Sequence, residues 1–213
     1  DNIAHLNPYY CELTAQYWAW KNCTSQKVGF YHYRRYLNPT LDNTWKGERL
    51  FSVPLNENIL DYLTSDTQKN SLEYLLDIFD IIIPAQININ IKEQDQRCTN
   101  VSNHYKTYHV AAHWDAFTNA LEQNFPSNKN LVRYFDISNQ VTAYNMFATR
   151  RDIFDSYCKD LFNTLDPLFA EFGKDYNEYN RRYIGFLAER FLWFWIKKEK
   201  LNYVEVPMLM LTE

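Results

Sequence analysis

The stretch Asp80-Ile81-Ile82-Ile83-Pro84 is a short run of β-branched residues of the kind that forms a strand buried on both faces. Elsewhere in the chain, residues 27–33, 144–149 and 204–207 are rich in β-forming residues and predict three more strands. Between these segments, apolar residues recur at helical spacing. Strands that alternate with helices predict an α/β fold with a mainly parallel central sheet flanked by helices.

The helices are expected where start and stop signals bound the periodic segments. The first one should begin with Asn7 as its N-cap and Pro8 at its first helical position. The stretches 40–56 and 85–105 are polar and are predicted as loops. Because there is no internal repeat and no linker composition, residues 1–213 are predicted as a single domain. The predicted helices span residues 7–22, 58–63, 109–125, 151–162 and 182–198.

The composition excludes several classes of protein. Only four of the 213 residues are glycine, and neither G-x-G-x-x-G nor a Walker A loop occurs. Classical dinucleotide-binding proteins and P-loop phosphotransferases are therefore not expected. The net charge of −4 gives no basic excess, so no nucleic-acid partner is expected. No apolar run reaches the ~20 residues that a membrane-spanning helix needs. The four cysteines have no C-x-x-C spacing, which favours a reducing, cytoplasmic setting over structural zinc or disulfides.

A cationic segment follows the first predicted strand: Gly29-Phe30-Tyr31-His32-Tyr33-Arg34-Arg35-Tyr36. In an open α/β sheet, ligands bind beyond the carboxyl ends of the strands. A guanidinium group offers a planar fork of donors that matches phosphate oxygens. The segment therefore predicts a phosphate-binding site. The alternative is that Arg34 and Arg35 pair with surface carboxylates.

The last predicted helix carries a second candidate group. Arg182, Gly185 and Glu189 share one face, since they are three and four residues apart. Gly185 has no side chain and is expected to leave room for a ligand. Glu189 has apolar neighbours and is a candidate general base. The alternative is a buried ion pair of Glu189 with Arg182 or Arg190 that fixes the packing of the helix.

Histidines form a third candidate group. His109 and His113 are four residues apart, as in zinc-binding helices, but Val110 stands where H-E-x-x-H has its glutamate. No third protein ligand is evident at a suitable spacing. His109 is therefore predicted to be a hydrogen-bonding residue near the cleft. Asn145 is a further candidate. Its side-chain amide would either bind a hydroxyl-rich ligand or hydrogen-bond to the backbone of a loop.

Several of these segments together resemble one family, DUF4422, whose members are bacterial glycosyltransferases of capsule and lipopolysaccharide O-antigen synthesis, some of them galactofuranosyltransferases. The resemblance extends over nearly the whole chain. It implies a GT-A-like fold, a nucleotide-sugar donor and a glycan acceptor. The motifs that carry it are Asn2-Ile3 through Asn7, Glu12-Leu13-Thr14-Ala15-Gln16-Tyr17-Trp18-Ala19-Trp20-Lys21-Asn22, Gly29-x-x-His32-Tyr33-Arg34-Arg35-Tyr36, Asp80-Ile81-Ile82-x-Pro84, Asn145-Met146-Phe147 and Arg182-x-x-Gly185-Phe186-x-x-Glu189-Arg190.

The sequence departs from the family pattern in two ways. Some tens of residues, including a first strand and helix, usually precede the Asn-Ile motif, so an N-terminal strand is expected to be missing here. GT-A enzymes commonly hold a divalent metal with D-x-D, which this sequence lacks. The nearest substitute is Glu93-Gln94-Asp95. Dependence on Mn²⁺ or Mg²⁺ therefore stays open.

The resemblance and the chemistry of glycosyl transfer suggest roles for these residues. Negative charge grows on the leaving diphosphate, and cations placed in advance stabilise it. Glu189 is the expected catalytic base, with Glu12 in reserve. The expected donor and phosphate ligands are His32, Tyr33, Arg34, Arg35, Asn2 and Lys21, and the expected acceptor ligands are Asn145, His109, Arg182 and Gly185.

The resemblance also suggests partners. The expected donor is UDP-linked, with galactofuranose among the candidate sugars, and the acceptor is a lipid-linked glycan or an oligosaccharide. The expected location is the cytoplasm, with peripheral association to the inner face of the bacterial membrane as an option, and the oligomeric state is left open. Two alternatives remain: a non-catalytic glycan-binding protein of the same fold, and a metal-dependent hydrolase that uses His109 and His113.

Overall fold

The computed structural model describes residues 1–40, 49–93, 96–142 and 144–213, with residues 91–93 and 96 described through their backbone alone. The chain forms two compact units, each assembled from three separate segments. The prediction of one domain over residues 1–213 stays a prediction. The helical unit comprises Asp1–Cys23, Ile87–Thr142 and Asp155–Lys200, and the sheet unit comprises Thr24–Gln86, Ala143–Phe154 and Leu201–Glu213.

The regular elements are numbered along the chain. The helices are α1 (Asn7–Tyr10), α2 (Leu13–Asn22), α3 (Glu57–Thr64), α4 (Asp66–Ile78), α5 (Val101–Tyr108), α6 (Ala111–Asn124), α7 (Lys129–Ile137), α8 (Arg151–Phe172) and α9 (Tyr183–Glu199). The strands are β1 (Lys27–Phe30), β2 (Arg35–Leu37), β3 (Leu50–Pro54), β4 (Ile81–Pro84), β5 (Ile87–Asn88), β6 (Ile91–Glu93), β7 (Gln96–Cys98), β8 (Gln140–Val141), β9 (Phe147–Arg150), β10 (Tyr203–Val206) and β11 (Met208–Thr212).

A four-stranded sheet in the order β1-β9-β4-β10 forms the centre of the sheet unit. β4 and β10 are parallel, whereas β9 is antiparallel to both of its neighbours. β1, β4 and β10 consequently run in the same direction, and their carboxyl ends lie at one edge of the sheet. The prediction of an α/β fold is confirmed. Three of the four strands share one direction, but the reversed strand β9 makes two of the three adjacent pairs antiparallel, so the sheet is mixed and not mainly parallel.

β4 is the buried strand that the sequence predicts. Ile81, Ile82 and Ile83 are each at most 1% exposed. Ile82 packs in a core cluster with Leu75 and Leu76 of α4 and with residues of β9 and β10. An uninterrupted apolar run is needed here because β4 has a paired strand on each side and a helix packed against it.

The first strand was predicted over residues 27–33, and its predicted carboxyl end is wrong. β1 stops at Phe30, and the chain turns before β2 starts. β2 pairs with β11, which also pairs with β3, so a second sheet of three strands forms in the order β2-β11-β3. The predicted loop at 40–56 therefore contains a strand, and a further strand follows Pro207. These pairings are non-local, and a local pattern does not reveal them.

α9 is the most buried helix of the helical unit, with twelve of its seventeen residues buried. It begins at Tyr183 with Arg182 at the N-cap and ends at Glu199, and the C-cap residue Lys200 adopts a left-handed conformation. The predicted helix over 182–198 is therefore confirmed. An α-helix that is apolar around most of its surface belongs in the core of its unit.

The predicted first helix is interrupted. α1 and α2 are separated at Cys11, whose φ is +51°. Pro8 lies in the first turn of α1 as expected, but the N-cap is Leu6 and not Asn7. The side-chain amide of Asn7 instead donates to the Cys11 carbonyl at 3.1 Å and to Thr14 Oγ1 at 3.1 Å. The side chain thus stabilises the break between the two helices.

The prediction of a loop over 85–105 is wrong. This stretch contains three short strands and the first residues of α5. Its polarity reflects exposed edges and caps: Asn100 is the N-cap of α5 and accepts from Asn103 N at 2.8 Å. α6 begins at Ala111, two residues after the predicted start, because His109 ends α5. α8 continues ten residues past its predicted end, through Pro167 to Phe172.

Candidate active site

The cationic segment of the sheet unit forms a tight turn directly after β1. His32 N donates to Arg35 O and Arg35 N donates to His32 O, both at 3.1 Å, so Tyr33 and Arg34 lie at the tip. Arg34 O accepts from Leu211 N at 2.8 Å, which anchors the turn to β11. The turn therefore lies at the carboxyl edge of the sheet, where the sequence predicts a phosphate-binding site.

Arg35 is held in place from two sides. Its NH1 lies 3.1 Å from His32 Nδ1, and its guanidinium group lies 4.2 Å from the centre of the Tyr144 ring. Its Nε is buried and has no hydrogen-bond partner among the described residues. Arg34 is exposed and contacts the Tyr33 ring at 4.9 Å. Within the described residues neither guanidinium group pairs with a carboxylate, which favours the phosphate-binding hypothesis over surface pairing.

Asn145 lies at the same edge of the sheet as the turn. Tyr144 and Asn145 have φ values of +73° and +49°, so two consecutive non-glycine residues are left-handed. Such strained conformations cluster at ligand sites. Asn145 is 2% exposed and sits beside the residue on which Arg35 packs. Asn145 was predicted as an acceptor ligand, but within its unit it accompanies the predicted donor ligands.

A further cation at this edge was not singled out from the sequence. Arg49 NH1 donates to the Gln86 carbonyl at 2.9 Å, just beyond the carboxyl end of β4. Gln86 is itself fixed by Glu205, which accepts from its backbone N at 2.9 Å and from its Nε2 at 2.6 Å. The position of Arg49 depends on the pairing of β3 with β11, which no local signal predicts.

The helical unit contains a pocket of about 300 Å³ beside α5 and α9, here called the aromatic pocket. His109 fixes one of its walls, because its ring stacks on Tyr179 with centroids 5.5 Å apart and packs at a tilt against Phe186 with centroids 4.3 Å apart. Tyr179 remains 51% exposed. The pocket is lined by Tyr108, Tyr179 and Phe186, by His104 and His109, and by Glu189 and Arg190.

Glu189 lines the aromatic pocket and forms an ion pair with its neighbour. Its Oε2 accepts from Arg190 NH1 at 2.7 Å, and the side chains of Glu189 and Arg190 are 23% and 9% exposed. The same NH1 donates to the Phe186 carbonyl at 2.9 Å. The predicted ion pair with Arg190 is thus present, and it holds the Glu189 carboxylate at the wall of the pocket.

The face formed by Arg182, Gly185 and Glu189 packs around Cys11. Arg182 Nε donates to Cys11 Sγ at 3.2 Å, and Arg182 interacts electrostatically with both Glu12 and Glu189. Burial raises the pKa of the Cys11 thiol, while Arg182 opposes this effect. The structure therefore brings both candidate carboxylates near one guanidinium group.

The expectation that Gly185 leaves room for a ligand is wrong. A Cβ at this position would lie 3.4 Å from both Cβ and Sγ of Cys11. The missing side chain therefore allows the break between α1 and α2 to approach α9. The predicted role of Gly185 as an acceptor ligand is replaced by a packing role.

Substitutions at Gly185 test this packing role. Gly185→Ala should change the free energy of unfolding by less than about 1 kcal/mol, because better helix propensity offsets a tight contact. Gly185→Val should lower it by about 1–3 kcal/mol through overpacking. Urea unfolding measures both. A Val variant as stable as the parent would show that the space beside Gly185 is open to a ligand after all.

His109 and His113 have different surroundings and do not form a pair of metal ligands. His113 is 1% exposed and is enclosed by the rings of Phe172, Tyr176 and Tyr183. Neither of its ring nitrogens has a hydrogen-bond partner in the part of the chain that the structure describes. Burial lowers the pKa of His113 to about 4 and that of His109 to about 3, so both rings are neutral near pH 7.

The buried His113 predicts a pH dependence of stability. Since its pKa is lower in the folded than in the unfolded protein, the unfolded chain binds more protons between about pH 6.5 and 4. The free energy of unfolding should therefore fall as the pH drops through this window, by up to about 1.4 kcal/mol per pH unit for one histidine. Urea unfolding of the parent and of His113→Phe at pH 7.5, 6 and 5 measures the effect.

The His113→Phe variant should lose part of the pH slope, because phenylalanine fills the aromatic enclosure without titrating. His5→Gln is the matched control, since His5 is exposed and its removal should leave the slope unchanged. Identical slopes for the parent and His113→Phe would contradict the assignment of a neutral buried imidazole.

Asn2 and Lys21 lie in the helical unit, whereas the cationic turn belongs to the sheet unit. Asn2 Oδ1 accepts from Ala4 N at 3.2 Å, and Lys21 Nζ lies 3.3 Å from the centre of the Trp20 ring. Both side chains therefore have local structural contacts. Their joint role with His32–Arg35 in one donor site stays a prediction.

The described residues contain no preformed cluster of ligands for a divalent metal. Among them, no group of three or more His, Cys, Asp or Glu side chains is arranged to hold a metal ion. The predicted substitute for D-x-D, Glu93-Gln94-Asp95, lies in part outside the described residues, since only the backbone of Glu93 is described. Dependence on Mn²⁺ or Mg²⁺ stays a prediction.

Sequence reasoning singled out His109, Glu189 and Arg190 but not the aromatic side of the pocket. Its three aromatic residues are separated in the sequence: Tyr108 ends α5, Tyr179 precedes α9 and Phe186 lies on α9. His104 lies in a stretch predicted as a loop. A weak signal was present: 17% of the residues are aromatic, which is high for a globular chain. Composition does not tell which of these rings remain exposed.

The fold defines an α/β protein of the GT-A-like class. The whole chain matches 38% of the apo structure of the bifunctional glycosyltransferase WbbM, with a TM-score of 0.86 and 29% sequence identity. The chain thus spans well under half the length of that protein. The chain belongs to the family described as a domain of unknown function, DUF4422, whose model matches residues 1–200. No curated protein gives a significant match. Among the described helices, none is long and apolar enough to cross a membrane.

Proposed function

We propose that this protein is a glycosyltransferase that moves a sugar from a nucleotide-sugar donor to a glycan acceptor. The observation that carries the proposal is the match of the entire chain to part of a glycosyltransferase structure at 29% identity. Two local features support it. The turn at His32–Arg35 offers cations at the carboxyl edge of a sheet, and the aromatic pocket offers a carboxylate among aromatic rings.

In the proposed reaction, the bond between the sugar C1 and the phosphate oxygen breaks, and the nucleoside diphosphate leaves with the electron pair. The guanidinium groups of Arg34 and Arg35 stabilise the negative charge that grows on the diphosphate. A bond forms between C1 and an acceptor hydroxyl oxygen. The proton of that hydroxyl passes to the carboxylate of Glu189. A single base implies inversion at C1, whereas retention by double displacement needs a second carboxylate as nucleophile.

The cationic turn belongs to the sheet unit and Glu189 to the helical unit. Glu12 is the reserve base, because it interacts electrostatically with the same guanidinium group of Arg182 as Glu189 does. Asn145, beside the cationic turn, is proposed to hydrogen-bond the donor or its sugar.

The finer assignments rest on family likeness. We propose a UDP-linked donor, with galactofuranose among the candidate sugars, and an acceptor that is a growing capsule or O-antigen glycan. Synthesis of such glycans from nucleotide sugars implies a cytoplasmic location, with the protein either free or peripheral on the inner face of the membrane.

A thermal-shift screen of nucleoside diphosphates and nucleotide sugars, with and without Mn²⁺, tests the function. A ligand that binds the native state raises the melting temperature, by an amount that grows with its concentration relative to Kd. The screen is followed by an assay of nucleoside diphosphate release with an oligosaccharide acceptor. Saturable glycan binding without nucleotide binding or release would instead identify a non-catalytic glycan-binding protein.

A further inference from the structure

The aromatic pocket has a composition that selects among acceptors. Two of its aromatic rings meet at the mouth: Tyr179 and Phe186 have centroids 5.1 Å apart at an angle of 41°. Tyr179 is 51% exposed although its ring is fixed by neighbours. Phe186 is half-buried and lines the interior. The two rings give the pocket an apolar surface.

The pocket is also lined by polar side chains, among them His109 and Glu189. His109 stacks on Tyr179 and packs at a tilt of 30° against Phe186, which fixes the plane of its imidazole. Its Nδ1 is buried and has no hydrogen-bond partner among the described residues. The Glu189 carboxylate reaches the same pocket from α9. Aromatic rings combined with polar side chains are usual in the lining of a small-ligand site.

The carboxylate and the guanidinium group that line the pocket pair with each other, and a second guanidinium group, that of Arg182, lies 5.5 Å from the centre of the Phe186 ring. Glu189 and Arg190 form an ion pair at 2.7 Å, and the NH1 of Arg190 is also used by the Phe186 carbonyl. The imidazole of His109 is neutral near pH 7. The pocket consequently offers an acidic ligand little compensation, and the Glu189 carboxylate would repel it.

We propose that the aromatic pocket binds an uncharged hexose ring at the accepting end of the glycan, with the C–H face of the ring on Tyr179 and Phe186 and a hydroxyl at Glu189. This assignment rests on the proposed function and names the acceptor class of that site. A sugar ring suits the pocket because it combines an apolar face with hydroxyls at its edge. Those hydroxyls would hydrogen-bond to His109 and to the carboxylate.

Saturation-transfer NMR of the full-length protein tests the acceptor class without any donor. The probes are methyl β-galactoside and methyl β-glucoside against methyl β-glucuronide, which differs from the glucoside by a carboxylate. The neutral glycosides should bind, and the glucuronide should bind at least about tenfold more weakly. Equal or tighter binding of the glucuronide would overturn the proposal, as would the absence of binding by both neutral glycosides.

Variants of Tyr179 test whether the glycoside contacts the aromatic ring of that residue. Tyr179→Ala should weaken binding of the neutral glycosides by about three- to tenfold, the range expected for loss of one aromatic contact. Tyr179→Phe keeps the ring and should bind like the parent. Tyr134→Ala removes a ring of similar exposure, 62%, on α7 of the same unit and should also bind like the parent. Unchanged affinity in Tyr179→Ala would overturn the placement.

The outcomes separate this proposal from the proposed function. Glycoside binding that depends on Tyr179, in a protein that neither binds nucleotide sugars nor transfers from them, would support the pocket assignment and overturn the glycosyltransferase. Sugar transfer that is unaffected by Tyr179→Ala at subsaturating acceptor would support the glycosyltransferase and overturn the pocket assignment. Circular dichroism of each variant verifies that the compared proteins are folded.

Discussion

Glu189→Gln should lower the turnover number of sugar transfer by about 100- to 10,000-fold, the range for loss of a general base. Glutamine has nearly the same shape as glutamate, and its carbonyl oxygen can still accept from Arg190 NH1, which donates to Glu189 at 2.7 Å. The variant should therefore fold. Because Arg190 is 9% exposed and loses its counter-charge, the free energy of unfolding should fall by about 1–3 kcal/mol.

The measurement is the initial rate of transfer with the donor that the thermal-shift screen identifies, at a temperature at which both proteins are folded. Glu178→Gln is the matched control, since Glu178 also lies in the helical unit but its side chain is 92% exposed. It should keep the parental rate. Full activity of Glu189→Gln would exclude Glu189 as the base and direct attention to Glu12. An unfolded Glu189→Gln would assign Glu189 a structural role in its pair with Arg190.

Arg34→Ala is expected to have the second largest effect, a fall of kcat/KM by about 100- to 1,000-fold. This is the loss typical of removing one group that stabilises charge in the transition state. The Arg34 side chain is exposed and contacts only the neighbouring ring of Tyr33 among the described residues. Its removal should consequently leave the free energy of unfolding within about 0.5 kcal/mol of the parent.

The comparison with Arg35→Ala sharpens this test. Arg35 packs on Tyr144 and bonds to His32, so its loss should reduce both activity and stability. Arg133→Ala, which removes a guanidinium group that is 73% exposed on α7, is the control for a change of net charge. If Arg34→Ala transfers sugar with the parental kcat/KM and the parental affinity for the nucleoside diphosphate, the turn is not the phosphate site.

The parts of the fold that the sequence predicts are those whose pattern is local. β4 is an unbroken apolar run because it is covered on both sides, and α9 is apolar around most of its surface because it lies within a core. In both cases burial alone dictates the residue types, and no knowledge of the partner element is needed.

The elements that were missed depend on partners far away in the chain. β2 is only three residues long, and β3 alternates between exposed and half-buried positions. Both acquire their hydrogen bonds from β11, more than 150 residues later. Short strands of this kind carry too little periodicity to be distinguished from loops.

The same distinction between local patterns and long-range contacts applies to the candidate site. The cations at His32–Arg35 were predictable, since a rule about strand ends locates them. The aromatic pocket was not, because Tyr108, Tyr179 and Phe186 become neighbours only after folding. At Gly185, helical spacing correctly predicted the shared face, but it gave no information about Cys11, which packs against that face from 174 residues earlier.

The reversed direction of β9 has a consequence for chimeric proteins. Phe30 at the end of β1 lies opposite Phe147 at the start of β9, so the segment that leaves β1 and the segment that enters β9 meet at one place. Tyr144 supports Arg35 there. Grafting residues 31–36 from a homologue while keeping the resident 144–146 would pair two loops that were not selected together, so exchange of donor specificity should succeed only when both segments are transplanted as a set.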